Sequence, residues 1–466
     1  MTSDLKKSLN SILNETEINR LGRLSGFVQR KSKLSAFKFL LSLMFSRFDG
    51  SKLSLNDISN ELYDKFDCII KKQSINERIN KSAVEFVKMT IAKALSEKLE
   101  ARNNIAFLNN FAAVKIQDST SFQLPEHLAS HYGGCGGAAS GALARIQFEY
   151  DLKSSNITTL ELTSGSYQDV KFSKDHAEKV EKGELVIRDL GYISGGFLKS
   201  IIKQEAYFVN RLIARQSVYI KSMHGEFLQL DFATLLKEMD NALIRSKELE
   251  IFLKVDQEYI GMRMIAERMP DKIYEQRIRK ATKEAKKKKR NLSDEYKLRC
   301  RFNLFVTNVD AGILKTKDIN YMYSLRWQIE LIFKSWKSTF CIAHVKKMKK
   351  ERFECQLYAK LLLIVVSWIT YSKINNFLKA SQDIKASMYL SYYKFCKTVN
   401  ARLESFMMAI ICRKKRLKKF ISSLVHTATR KEQNIEPKNK TFSSIHILEM
   451  INQTFDFMNI TLHQSA

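Results

Sequence analysis

Arg145-Ile-Gln-Phe-Glu-Tyr150 and Thr158-Thr-Leu-Glu-Leu-Thr163 alternate apolar and polar side chains with a period of two, the repeat of a strand with one buried face. Close in sequence, they predict an antiparallel pair. Before them, Ala113-Val-Lys-Ile-Gln117 reads as a short strand that ends at Asp118. After them, a helical stretch around Lys174 to Val180 leads into Glu184-Leu-Val-Ile-Arg188, a strand that ends at Asp189. A helix from about Ser194 to Gln204 and the strand Ala206-Tyr-Phe-Val-Asn-Arg211 complete the run. The predicted order is β-β-β-α-β-α-β.

That order is the one of a mixed α/β, ribonuclease H-like sheet, in which the first and fourth strands are neighbours and their ends converge. Residues from about 212 to 300 read as a β-rich insertion, with strand candidates in Ser217-Val-Tyr-Ile-Lys-Ser222 and Glu248-Leu-Glu-Ile-Phe-Leu-Lys254. Phe302-Asn-Leu-Phe-Val-Thr307 then returns to the sheet. Helical regions flank this core on both sides. The predicted division is 1–105 as a helical region, 106–370 as the mixed α/β domain with its insertion, and 371–466 as a second helical region. Within the first, Leu55–Leu62 and Ser74–Ile79 fit a helix-turn-helix-like pair, with Asn76, Arg78 and Lys81 as candidates to face DNA. Plain bundle helices fit the same pattern. The loop Gly133-Gly-Cys-Gly-Gly137 lacks a Gly-Lys-Ser/Thr ending and opens no helix, so it predicts a hairpin connection rather than a phosphate cradle.

Further along, Tyr323-Ser-Leu-Arg326-Trp-Gln-Ile-Glu330-Leu-Ile-Phe-Lys-Ser-Trp-Lys337 predicts one helix. At about 100° per residue, Tyr323, Arg326, Glu330 and Lys337 share an arc of roughly 60°. Leu325, Ile329, Ile332 and Trp336 form an apolar stripe about 120° away. A carboxylate flanked by cations suits a site that binds a metal and handles phosphates; a solvated face with incidental charges is the plainer alternative.

Composition narrows the partners. The chain has 466 residues, with 78 Lys and Arg against 49 Asp and Glu, a net charge of +29 and a pI near 9.7. Such an excess repels itself unless a polyanion is close, which makes nucleic acid the leading partner. Against a membrane, the longest apolar run, Leu361 to Thr370, is about ten residues where roughly 20 are needed. Seven scattered cysteines without a CxxC pair argue against a disulfide framework or a zinc site and suit a reducing cytoplasm. Three prolines leave room for long helices. Lys286-Lys-Lys-Lys-Arg290 and Arg413-Lys-Lys-Arg-Leu-Lys-Lys419 are basic clusters fit for phosphate contact or for a solvated face.

Asp118, Asp189 and Glu330 stand out on independent grounds as catalytic and metal-ligating candidates. Oxygen-only donors with solvent access suit Mg²⁺ or Mn²⁺, and two such ions serve an in-line displacement at phosphorus. Crowded carboxylates repel, so one tends to stay protonated without metal, a repulsion that Arg326 and Lys337 relieve. Singly, Asp118 before Ser-Thr and Asp189 before Leu-Gly read equally well as turn residues.

These residues also resemble a known family. Tyr323, Arg326, Glu330 and Lys337 match the Tyr-x2-Arg-x3-Glu-x6-Lys signature of bacterial DDE transposases of the insertion-sequence-four family, and Trp327 and Trp336 match its usual neighbours. Gln-Asp118-Ser-Thr and Arg-Asp189-Leu-Gly-Tyr resemble the two preceding acidic motifs, and the β-rich insertion before the glutamate is that family's layout. The resemblance covers about residues 106 to 345. It implies cut-and-paste transposition: strand cleavage at the element's end, hairpin formation and reopening, and joining of the 3′-hydroxyl to target DNA. It implies double-stranded DNA with terminal inverted repeats, end binding by residues 1–105, catalysis by 106–370, a homodimer that pairs both ends through 371–466, no membrane, and a cytoplasmic, nucleoid-associated bacterial setting. By the same resemblance Tyr323, Arg326 and Lys337 contact the DNA backbone. Arg211 joins them, or is an ordinary strand-end cation. An aromatic residue in the insertion would stabilise a flipped base; the sequence does not single it out.

Overall fold

The computed structural model describes residues 2–431 except 31, 47–53, 98–105, 137–140, 213–215, 288, 381–387 and 412–413. Gly137, Arg413 and residues 432–466 of the predicted C-terminal helical region therefore lie outside the described residues. The chain opens with helices α1 (Thr2–Ile12), α2 (Glu15–Leu24), α3 (Ala36–Met44), α4 (Leu55–Phe66), α5 (Lys72–Arg78) and α6 (Lys81–Leu95). Their starts follow from side-chain caps: Asn14, Ser35 and Asn80 each accept a backbone N–H of the first turn, and Ser54 with Asp57 makes a reciprocal capping box.

The sheet begins with β1 (Val114–Gln123), β2 (Leu143–Asp151) and β3 (Ile157–Ser164). Then follow α7 (Asp169–Asp175), β4 (Leu185–Arg188), α8 (Gly195–Lys203) and β5 (Tyr207–Arg211). β1, β2 and β3 are antiparallel, while β4 runs parallel to β1 and β5 parallel to β4. The spatial order β3-β2-β1-β4-β5 is the ribonuclease H-like arrangement. The glycine-rich segment is a hairpin link: Gly133 bridges Ala142, and the Gly134 N–H donates to the Gly141 carbonyl at 2.8 Å.

One boundary differs from the expectation. β1 does not stop at Asp118 but continues to Gln123, pairing Asp118 with Phe148 and Gln123 with Leu143. Thr120 and Phe122 are buried while Ser121 and Gln123 are exposed, so the period of two persists. Polar side chains carry part of that alternation, and Ser-Thr after an Asp resembles a turn.

The insertion contains β6 (Tyr219–Lys221), β7 (Phe227–Gln229), α9 (Phe232–Asn241), β8 (Ser246–Val255), β9 (Glu258–Arg268), α10 (Asp271–Lys287) and α11 (Asp294–Arg299). β10 (Phe302–Thr307) then pairs antiparallel with both β5 and β9. The insertion thus extends the same sheet, continuing β5-β10-β9-β8-β6-β7 among the described residues. The β8–β9 hairpin turns on Asp256 and Gln257, both at positive φ (48° and 68°), as a tight two-residue turn demands.

The predicted single helix from Tyr323 is two. α12 (Ile319–Ser324) and α13 (Trp327–Ser338) are separated by Leu325 and Arg326. There the N–H groups of Leu325, Arg326, Gln328 and Ile329 bond three residues back rather than four, tightening the turn. Leu325, Ile329, Ile332 and Trp336 are buried as their spacing predicts.

α14 (Lys350–Ala380) follows, and position 370, the expected domain limit, lies inside it. By length and composition it could cross a membrane, contrary to the short run read from the sequence. However, 83 % of its most apolar window is buried inside the protein. It packs on α3 and α6, and its Trp368 ring lies 5.5 Å from that of Tyr150 on β2. β11 (Met388–Leu390), α15 (Tyr392–Ala401), α16 (Leu403–Ile411), α17 (Lys414–Ala428) and β12 (Thr429–Lys431) close the described chain. One continuous apolar core runs from the N-terminal helices through β1–β3 and α13 to α14–α17.

Candidate active site

Parallel pairing of β1 with β4 places Gln117 opposite Arg188, so the next residues, Asp118 and Asp189, emerge side by side. Asp118 is held in the strand and its Oδ1 accepts the Ser119 N–H at 2.7 Å. Asp189 follows the end of β4 and caps the turn at Leu190–Tyr192, its Oδ2 accepting the Gly191 N–H at 3.3 Å. Thus the turn-residue reading holds for Asp189 and fails for Asp118. Glu330 comes from the first turn of α13.

These three carboxylates meet at one cation, the Arg326 guanidinium. Its Nη1 lies 2.8 Å from Asp118 Oδ2 and 3.5 Å from Asp189 Oδ1, and its Nη2 lies 2.9 Å from Glu330 Oε1. Segments more than 200 positions apart in the chain supply the two ends of this cluster. Burial pushes the Asp118 carboxyl up to about 6; Arg326 and the Ser119 N–H act against this, and Asp189 and Glu330 add smaller upward pushes. Carboxylate repulsion, expected to dominate, is therefore secondary to desolvation. Burial pulls the Arg326 guanidinium down, but Tyr323 and the three carboxylates outweigh it and leave it above its ordinary value. Among the described residues no three His, Cys, Asp or Glu side chains are grouped as they would be around a metal ion. The carboxylates surround a guanidinium instead. Their oxygen-only donor set, already gathered on a cation, is nevertheless of the kind that holds Mg²⁺ or Mn²⁺.

Residues 110–366, more than half of the chain, match the sequence family described as Transposase DDE domain. The chain belongs to the DDE transposases. It is 32% identical over 391 residues to the transposase for insertion sequence element IS231B of Bacillus thuringiensis subsp. berliner, covering 81% of each chain. It is 31% identical over 381 residues to the transposase for IS1151 of Clostridium perfringens, covering 78% of this chain and 79% of that one.

The other signature residues of this DDE transposase separate into two groups. Tyr323 stays close: Arg326 lies 5.8 Å from its ring centroid, and the ring packs 5.6 Å from Phe305 of β10. Tyr323 is 9% exposed, and burial raises its phenol pKa. Arg211 ends β5, against which α12 packs, and its charge bears on Tyr323. Lys337 is different. It sits in the last turn of α13 and its Nζ donates to the Ser121 carbonyl at 3.0 Å. It makes no ion pair with the three carboxylates, so among the described residues Arg326 alone bridges them and offsets their repulsion. Lys337 lies seven residues beyond Glu330 on α13, about 10 Å further along the axis, and so reaches a different part of β1.

Several supporting residues escaped the sequence reading. Arg188, 2% exposed, lies 3.4 Å from buried Glu149, donates to Ser173 Oγ at 2.7 Å, and stacks 4.5 Å from the Phe197 ring centroid. These contacts fix the end of β4 immediately before Asp189. Tyr192 donates to Gln147, whose amide in turn donates to Asp169 at 2.9 Å; Asp169 is paired with Arg145 at 2.7 Å. Charged residues inside apolar strands, such as Glu149 and Arg188, were the available signal: buried charges need partners. In the N-terminal region, Arg78 donates to the Leu34 carbonyl at 3.0 Å and to Ser32 Oγ at 2.8 Å. Asn76 and Lys81 are exposed.

Proposed function

We propose that this protein carries out cut-and-paste transposition of an insertion sequence, cleaving double-stranded DNA at the terminal inverted repeats and joining the freed ends to target DNA. The convergence of Asp118, Asp189 and Glu330 from three distant segments onto one cation carries this reading. In it, the three carboxylates hold Mg²⁺ or Mn²⁺, two ions per site. Bound there, such ions supply Lewis-acid charge to the scissile phosphate and ease deprotonation of the attacking hydroxyl. The chain's own groups position the DNA: Arg326, Arg211 and Lys337 as cations and Tyr323 as a hydrogen-bonding phenol meet the backbone beside the cleavage point. Asn76 and Lys81 remain candidates for contact with the element's end. The helical C-terminal region serves dimerisation, so that two copies pair the two ends, and the protein works at the bacterial nucleoid.

The test uses purified full-length protein, Mg²⁺ and a duplex carrying its element's own terminal repeats with flanking DNA. Release of the flank as a double-strand break, followed by insertion into a plasmid, is the expected result. Cleavage without insertion assigns a nuclease, and binding without cleavage a silent DNA-binding protein; either outcome overturns the proposal.

The basic surface makes a separate prediction. α10 has no buried residue and exposes Lys280, Lys283, Lys286 and Lys287. Changing these four to Gln flattens the dependence of log affinity on log salt by about 0.9 for each phosphate that is no longer neutralised. Fluorescence anisotropy across a salt series measures the slope; an unchanged slope removes α10 from the DNA interface.

A further inference from the structure

Arg326 stands where the proposed reaction needs a metal. Its two Nη atoms reach all three carboxylates within 3.5 Å, and its side chain is 14% exposed. Yet it is incompletely satisfied: its Nε is buried with no hydrogen-bond partner among the described residues. Arg263 offers the contrast. That guanidinium makes a two-point fork with Glu248, Nε at 2.7 Å and Nη2 at 2.9 Å, while Nη1 donates to the Val309 and Leu314 carbonyls. All three nitrogens of Arg263 are engaged, whereas Arg326, like Arg188, leaves its Nε unpaired among the described residues. Arg326 is drawn in by charge, and it projects from the tightened turn between α12 and α13 rather than from a regular helix.

We propose that Arg326 is the placeholder cation of the metal-free protein: it gathers Asp118, Asp189 and Glu330, and a divalent ion binds that cluster in competition with it. The inference rests on the reading of these carboxylates as metal ligands. Its physical basis is twofold. Asp118, Asp189 and Glu330 each already turn one oxygen, Oδ2, Oδ1 and Oε1 respectively, toward the guanidinium. A divalent charge entering at contact distance from a retained guanidinium would also meet strong repulsion in a half-desolvated site. The placeholder keeps three acids from repelling one another apart before metal arrives, and it weakens loading until the guanidinium moves to another anion.

Binding of Mn²⁺ to full-length, DNA-free protein, read from the electron paramagnetic resonance of free Mn²⁺ at neutral pH, tests this directly. Arg326→Gln is expected to bind Mn²⁺ about tenfold or more tightly than the wild type, within the usual scale of coupling between competing sites. Lys337→Gln, which removes a cation that does not touch the cluster, controls for the general field and is expected to change affinity by less than about threefold. Thermal melts give a second readout: without metal Arg326→Gln melts below the wild type, and Mn²⁺ raises its melting temperature by the larger amount. Should Arg326→Gln not fold, Arg326→Lys takes its place, since one ammonium cannot fork across three carboxylates, and its Mn²⁺ binding is expected to exceed the wild type's. Equal or weaker binding by the Arg326 variant, or an equal gain in Lys337→Gln, overturns the placeholder role. Asp118→Asn separates the two layers. If it abolishes Mn²⁺ binding, the metal-site reading stands whatever Arg326 does; if it leaves binding unchanged, that reading falls and the placeholder with it.

Discussion

Asp118→Asn, Asp189→Asn and Glu330→Gln are each expected to lower DNA strand cleavage by about a thousandfold or more, the scale of several kcal/mol of lost charge stabilisation. DNA binding in gel shifts should persist, because none of these residues is a cation. Asp118→Asn is the sharpest of the three, since it should lose activity without losing stability. Burial holds the Asp118 carboxyl at about 6 in the fold, above its ordinary 3.8. Below about pH 4 both folded and unfolded forms carry the proton, and Asp118 costs nothing. Between about pH 4 and 6 the unfolded chain loses the proton first, so stability falls as pH rises, by roughly 3 kcal/mol in all. Above pH 6 the full cost is present, and an isosteric amide removes it. Denaturation in the presence of a chelator should therefore show Asp118→Asn at least as stable as the wild type at neutral pH. Cleavage that survives any one substitution would refute the three-carboxylate assignment.

Trp336→Ala is expected to have the largest effect on folding, about 3–5 kcal/mol. The side chain is fully buried, its ring lies 5.0 Å from Phe148 and 5.4 Å from Phe333, and its Nε1 donates to Tyr392 Oη at 3.2 Å. Phe148 is the cross-strand partner of Asp118, so both side chains project to the same face of the sheet. Trp336 thereby clamps α13, which carries Glu330, onto the strand that carries Asp118. Losing it opens a cavity and loosens the helix, so cleavage should fall beyond what the unfolded fraction explains. Trp336→Phe keeps the aromatic contact and forfeits the hydrogen bond, for about 1 kcal/mol. Urea midpoints measure both, and a midpoint for Trp336→Ala within error of the wild type would rule out the clamp.

Much of this molecule was legible in the residue order. The alternation in Arg145–Tyr150 and Thr158–Thr163, and the apolar run before Asp189, are local signals of strand formation. The resulting sequence of elements leaves few ways to close a sheet. Asp189 and Glu330 could be picked out because one follows a strand and the other opens a helix whose period is readable nearby, and Asp118 because the apolar alternation just before it is readable although the strand runs on past it. The Tyr323–Lys337 spacing, with the motifs around Asp118 and Asp189, carried the family resemblance, since a signature is a property of the chain itself.

Other features depended on contacts between distant segments. The extension of β1 through Ser119–Gln123 is stabilised by pairing with β2, which no window of β1 reveals. The apolar residues of α14 fit a membrane span by composition; burial against α3, α6 and the sheet decides otherwise. The tightened turn at Leu325 and Arg326 overrides a helical periodicity that looked continuous. Local sequence thus determined the type and order of the main elements and which acids lie on them, because short-range sterics and hydrophobic period act within a few residues. Only the tertiary structure decided that one guanidinium would sit among all three acids while Lys337 stayed apart, because electrostatic energy depends on distances that folding alone sets.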